Sequence, residues 1–346
     1  MDAKLTYLQL LSCMACVACT LSSCSADTPE QTETGKGYEM SFDVSGLSRG
    51  SVTTSFNEFA VYGDSKSMED LNSDHKILFN KTVVKYKDGS WSYDGTQYWL
   101  PGNEHSFIAI SPVSAVENAN TLQYLNSQLS FTYNIPTVEN NRVIKHDDIA
   151  DIVVSTHRRL YNDGDTNART TFNFGHVMSL INIAPAFDDN IMNKEEYISI
   201  VRLELSGFKT KASFNITPAP RQSNTQTDDR IIEVTGQEKD GTLTVEFDDP
   251  VKVANDRKNV NLFDNNDALI MLPQAFASDS DARIVLSYRI NDEASLKQIT
   301  LPLTRKQWDS GKSYTYKFTF NRIGMLSEST SITEWDVSDV GNIDAH

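Results

Sequence analysis

From Tyr38 onward the chain alternates apolar and polar positions with a period of two. "YEMSFDVSG" sets Met40, Phe42 and Val44 against Ser41, Asp43 and Ser45. "TLTVEF" sets Leu243, Val245 and Phe247 against Thr242, Thr244 and Glu246, and "SYTYKFTF" sets Tyr314, Tyr316, Phe318 and Phe320 against Thr315, Lys317 and Thr319. "IVRLELSGF" and "ARIVLSYRI" repeat the pattern. Successive side chains of an extended chain point to opposite faces, so each segment predicts a strand with one buried face. Asp88-Gly89, Asp94-Gly95 and Asp240-Gly241 are hairpin turn dipeptides. Helical patterns are few: residues 115–127, "AVENANTLQYLNS", and a turn near "NIMNKEEY". Many short strands with almost no helix predict an all-β chain of sandwich type.

A length of 346 residues exceeds what one compact core usually holds, which predicts two domains in tandem. The stretch "HRRLYNDGDTNARTT", His157 to Thr171, clusters Gly, Asp and Asn without periodicity and serves as the boundary. The expected layout is an N-terminal β-sandwich over 38–165 and a C-terminal one over 166–346.

Between Ser90 and Pro112 the chain packs Trp91, Tyr93, Tyr98, Trp99 and Phe107 among tight turns. Phe107, Ile108, Ala109 and Ile110 are apolar at consecutive positions, as in a strand covered on both faces. The aromatic residues are expected to fill that core with their polar tips wet. A sugar-stacking platform would use the same residue types, and composition alone leaves that alternative open.

All four cysteines, Cys13, Cys16, Cys19 and Cys24, lie in the first 24 residues. They sit in an apolar stretch behind Lys4 that reads as a secretory leader, too short and wrongly flanked for a membrane span. The leader ends "LSSC", an apolar residue, two small ones and a cysteine, which looks like a bacterial lipobox. Residues 1–23 are then the signal peptide, and Cys24 carries lipid and anchors the chain to the outer membrane. Residues 24–37, "CSADTPEQTETGKG", are polar and aperiodic and read as a flexible tether. With Cys24 lipidated no disulfide remains, so packing alone has to hold the fold.

The net charge is −16 and no Lys/Arg-rich run occurs, so nothing offers a nucleic-acid groove. "GLSRG", Gly46 to Gly50, matches G-x-S-x-G in letters, but a nucleophile elbow at Ser48 needs a following helix in an α/β sheet, and a β-rich segment follows. "NDGDTNA", residues 162–168, begins like a calcium loop yet has Ala168 and Phe174 where Gly and Glu are needed. His176 lies in phase with Phe172 and Phe174 and reads as a hydrogen-bonded core histidine. No catalytic, metal or cofactor site is predicted.

Several segments in order resemble the fimbrillins, the type V pilus subunits: the lipobox, "SFDVSGLSRG", "YWLPGNEHSFIAISP", "TFNFGHVMSLINI", "LIMLPQAF", "WDSGKSYTYKFTF" and "ITEWDV". The resemblance spans nearly the whole chain after the leader. It implies two transthyretin-like sandwiches, lipoprotein export, cell adhesion, assembly with other fimbrillin subunits by donor-strand exchange, and neither cofactor nor catalysis. It also implies an arginine-specific protease as a partner, with Arg49 as the processing site. A cut there would release the strand Tyr38–Gly46 with its tether and uncover a groove. Refilling that groove with three apolar side chains would return roughly 5–9 kcal/mol before ordering costs. The expected donor is the C-terminal segment of another subunit, through Ile332 or Trp335 and Val337. The alternative is a surface lipoprotein that does not polymerise and binds a glycan or host ligand.

Overall fold

A computed structural model describes residues 37–45, 57–117, 121–136, 149–188, 195–222, 226–239, 242–263, 269–276, 282–291, 293–303 and 307–335. Cys24 and Arg49, the expected lipidation and processing residues, lie outside them, as does Ser48.

The first strands are β1 Ser41–Val44, β2 Glu58–Ser67, β3 Lys76–Lys87, β4 Ser90–Ser92 and β5 Asn103–Ser111. A short helix α1, Val113–Glu117, leads to β6 Gln123–Leu125, β7 Gln128–Asn134 and β8 Val153–Tyr161. Then come β9 Arg169–Phe172, β10 Gly175–His176, β11 Ser179–Phe187, β12 Tyr197–Ser206, β13 Lys209–Pro218 and β14 Arg230–Lys239. The rest are β15 Thr242–Ala254, β16 Leu269–Met271, β17 Gln274–Ala275, β18 Arg283–Ile290, β19 Lys297–Pro302, β20 Gln307–Trp308, β21 Lys312–Phe320 and β22 Met325–Glu334.

The fold is a β-sandwich assembly built around a six-stranded sheet of order β10-β8-β5-β2-β3-β4. Its central strands β2 and β5 are buried on both faces. Phe59 and Val61 of β2 and Phe107 and Ala109 of β5 face an aromatic core. Their neighbours Ala60, Tyr62, Ile108 and Ile110 face a second, larger core. This is what the consecutive apolar run in β5 requires, since an alternating strand could satisfy only one layer. The larger core is completed by the sheets β14-β13-β7-β6, β16-β11-β21-β22 and β15-β12-β18-β19.

Strands from either side of residue 165 share sheets: β9 pairs with β1, β10 with β8, and β13 with β7. The stretch read as a polar boundary is not a bare linker. His157, Arg159 and Tyr161 finish β8 and are buried, and Arg169–Phe172 forms β9. The loop between β13 and β14 is clipped onto β8: Arg158 and Thr227 exchange backbone hydrogen bonds of 2.9 and 3.0 Å, and Arg221 pairs with Glu104 at 2.7 Å.

The helix expected over 115–127 is confined to α1, which ends at Glu117. Asn126 and Ser127 adopt positive φ, 49° and 60°, which turns β6 back onto β7 as a hairpin. Residues 123–125 are therefore strand, and tertiary pairing overrides their helical spacing. Of "NIMNKEEY", the described residues enter β12 at Tyr197.

Candidate functional site

Of the residues singled out for function, Met40, Phe42 and Val44 lie together in the cradle of β1, whereas Ile332 lies on β22 and Trp335 packs against His176. Met40 and Phe42 are buried to 1% and 4% exposure, and Val44 packs partly buried beside them. Phe42 is surrounded by the rings of Phe79, Phe172, Tyr93 and Phe107 at 5.2, 5.3, 5.5 and 5.9 Å. The strand therefore supplies the centre of the aromatic core.

Backbone bonds hold this segment from two sides. On one side the Gly37 N–H donates to the Trp99 carbonyl (2.9 Å), the Trp99 N–H to the Tyr38 carbonyl (3.1 Å) and the Met40 N–H to the Gln97 carbonyl (2.7 Å). On the other side β1 runs parallel to β9, with Ser41 opposite Arg169 and Val44 opposite Phe172. Two-stranded parallel pairing offers little stability by itself, so the ordering of β1 rests on its apolar side chains. Tyr93 adds a hydroxyl donated to the Met40 carbonyl at 2.9 Å, and burial pushes its pKa up to about 12.

The entry to the cradle is a narrow passage at Gly37. Trp99 and Tyr161 stack with centroids 5.2 Å apart and ring planes 16° from parallel. Arg159 sits 4.1 Å over the Trp99 ring. The Trp99 Nε1–H donates to the Ala168 carbonyl (2.9 Å), and the Tyr161 hydroxyl to the Asp165 carbonyl (2.6 Å). Asp165, from the stretch that begins like a calcium loop, turns its carboxylate to Arg159 at 3.3 Å and accepts the Asn167 N–H. His105 lies 4.8 Å from Trp99. Its Nε2 accepts the Leu100 N–H (3.2 Å), which leaves Nδ1–H to donate to the Asn103 carbonyl (3.1 Å). Burial lowers its pKa to about 3, so the ring stays neutral.

A Cβ placed on Gly37 would lie 2.6 Å from Tyr161 Cε1 and 2.8 Å from the Trp99 carbonyl oxygen. Gly37, which reads as the last residue of a tether, is thus a buried part of the fold. Its signal is absent from the local sequence because both neighbours come from segments distant in the chain. The pairing of β1 with β9 was missed for the same reason.

Of the aromatic residues considered for a sugar platform, Trp99 is fully buried. Trp91 and Tyr93 pack against the aromatic core, and Tyr98 bridges to Glu39 through its backbone. His176 is a core histidine, as its phase predicts: Nδ1 lies 2.8 Å from Asp151 Oδ1. Its ring also stacks on Trp335 at 3.7 Å.

The described part of the C-terminal segment expected to act as a donor is β22 and Trp335, and Val337 lies outside the described residues. β22 pairs along its length with β21 and forms the edge of that sheet. Its side chains are mostly exposed, Ile332 at 39%, whereas Trp335 is buried against the chain's own His176. Among the described residues no group of His, Cys, Asp and Glu could hold a metal ion. No helix among them is long and apolar enough to cross a membrane.

A family model described as fimbrillin-like matches residues 48–335. The solved structure of a fimbrial protein from Bacteroides vulgatus ATCC 8482 is similar over 86% of this chain and 99% of that one, with 17% identity and a TM-score of 0.60. That likeness is one of fold. The tip fimbrial protein Mfa3 from Porphyromonas gingivalis, with a C-terminal truncation, is covered over 100% of its chain and 86% of this one, at 10% identity and a TM-score of 0.41. No curated protein matches the chain.

Proposed function

Because the chain belongs to the fimbrillin-like family, we propose that it is a cell-surface pilus subunit assembled by protease-gated strand exchange. On this reading Cys24 carries the lipid that brings the chain to the outer membrane. An arginine-specific protease cuts after Arg49. The segment before the cut, including β1, then leaves, and a strand of another fimbrillin subunit takes its place. The role is structural and adhesive, without a catalytic step.

The observation that carries the proposal is the position of Met40 and Phe42. These two central side chains of the aromatic core belong to the four-residue strand β1 and the residue just before it, at the start of the described chain. Phe79, Phe107, Phe172 and Trp99 line its cradle and would be left facing water if it departed. Exposed apolar surface next to unpaired backbone is a template for an incoming strand.

The test is Arg49→Ala in cells. The variant should reach the membrane fraction with wild-type stability and stay monomeric, while wild type appears as a ladder of polymers. Entry of the variant into polymers at the wild-type level would refute gating at this site.

A further inference from the structure

We propose that the strand replacing β1 must carry glycine at the Trp99–Tyr161 passage, and that it is not the C-terminal segment of a second copy of this chain. The inference rests on the strand-exchange reading above and names the chemistry of the partner.

The constraint lies at Gly37. The nearest obstacle to a Cβ there is a ring carbon of a buried tyrosine at 2.6 Å, and the next is a backbone oxygen at 2.8 Å. Neither is the loose end of a flexible side chain. Tyr161 is stacked on Trp99 and fixed through its hydroxyl to Asp165. The Trp99 carbonyl accepts the Gly37 N–H, and the indole donates to Ala168. Widening the passage would break the stack and these hydrogen bonds together, so even alanine is excluded.

The remaining positions fix a pattern. Three residues after the glycine comes the site of Met40, then that of Phe42 among four rings, then that of Val44. A strand entering in the direction of β1 therefore reads glycine, with apolar residues at the third, fifth and seventh positions after it. The period of two follows from the pleat.

The C-terminal segment of this chain does not carry the pattern. Its glycines after Phe320 are Gly324 and Gly341. Ser327, Ser329 and Ser331 follow Gly324 at the three pattern positions, and Asp344 and His346 follow Gly341 at the first two. Placing Trp335 in the Phe42 pocket brings Thr330 to the passage, and placing Ile332 there brings Ser327. Placing Val337 there brings Ile332. Each of these residues has a Cβ where only hydrogen fits. Trp335 is also engaged with His176 of its own subunit.

The experiment treats the folded chain with an arginine-specific protease and offers fluorescent peptides in excess. One has the sequence of residues 37–46, the second is the same peptide with alanine at its first position, and the third has the sequence of residues 327–340. The first should enter, and the other two should bind about tenfold more weakly or worse, the usual effect of one unrelieved overlap. Equal entry of the alanine peptide or the C-terminal peptide would overturn the proposal. Entry of none of the three would remove the strand-exchange reading and the partner claim with it. The passage is then judged alone in the uncut chain: Gly37→Ala should lower the melting temperature well below that of Tyr38→Ala. A Gly37→Ala protein as stable as wild type would overturn the glycine requirement.

Discussion

Truncating Phe42 should release β1 while leaving the rest of the molecule folded. The side chain is 4% exposed and sits among four rings with centroids between 5.2 and 5.9 Å. Removing a buried phenylalanine of this kind costs about 3–5 kcal/mol, from lost burial and the cavity that remains. Few other groups hold the strand. Met40 is the second fully buried side chain, Val44 is only partly buried, and the Asp43–Arg169 pair at 3.4 Å is exposed. The cost should therefore fall mainly on the local opening of β1. An opening made about 3 kcal/mol easier is populated more than a hundredfold more often. Hydrogen exchange reads this directly, because the Ser41 and Ser45 amides donate to the Ala168 and Phe172 carbonyls. In Phe42→Ala, exchange at Ser41 and Ser45 should quicken by about a hundredfold, while amides of β12 and β18 stay near wild type. Val44→Ala should give a much smaller change. Unchanged exchange at Ser41 and Ser45, or the same acceleration throughout the chain, would refute the view of β1 as a separable insert.

Two further outcomes follow from the same geometry and from the leader. His105 has a folded pKa of about 3, well below the ordinary histidine value of 6.5, because it is buried. The unfolded chain therefore takes up a proton that the folded chain refuses, and the stability tied to neutral His105 is intact above pH 6.5. It is lost as pH falls from there toward 3, by on the order of 5 kcal/mol in total. Urea midpoints measured across that range should drop for wild type and follow a flatter course in His105→Gln. Equal slopes would contradict the assignment. Cys24→Ser should leave the protein in the soluble fraction or retain the leader, as read by fractionation and intact mass. Normal processing with normal membrane retention would end the lipoprotein reading.

The strand periods were legible because each alternation records which face is buried, a local property. Met40 and Phe42 could thus be assigned to a core from "YEMSFDVSG" alone, and the double burial of β5 from its unbroken apolar run. Neighbours in a sheet are not local. Nothing in "ARTTF" says that it will lie parallel to β1. Nothing in the letters around Gly37 distinguishes it from a tether glycine, because its constraint comes from Trp99 and Tyr161. The same limit explains 115–127, where a helical spacing gave way to a hairpin tip at Asn126 and Ser127. It also explains His157–Tyr161, whose polar letters conceal a strand end buried under Thr227 and Asp228.

The central claim is that the assembled protein lacks the strand seen here between Ser41 and Val44. Sequencing the N-terminus of the chain recovered from polymers at the cell surface tests it most directly. The chain should start at Gly50, with no peptide from residues 24–49 remaining in the polymer. Polymers whose chains still begin at Cys24 and retain Met40 and Phe42 would contradict it.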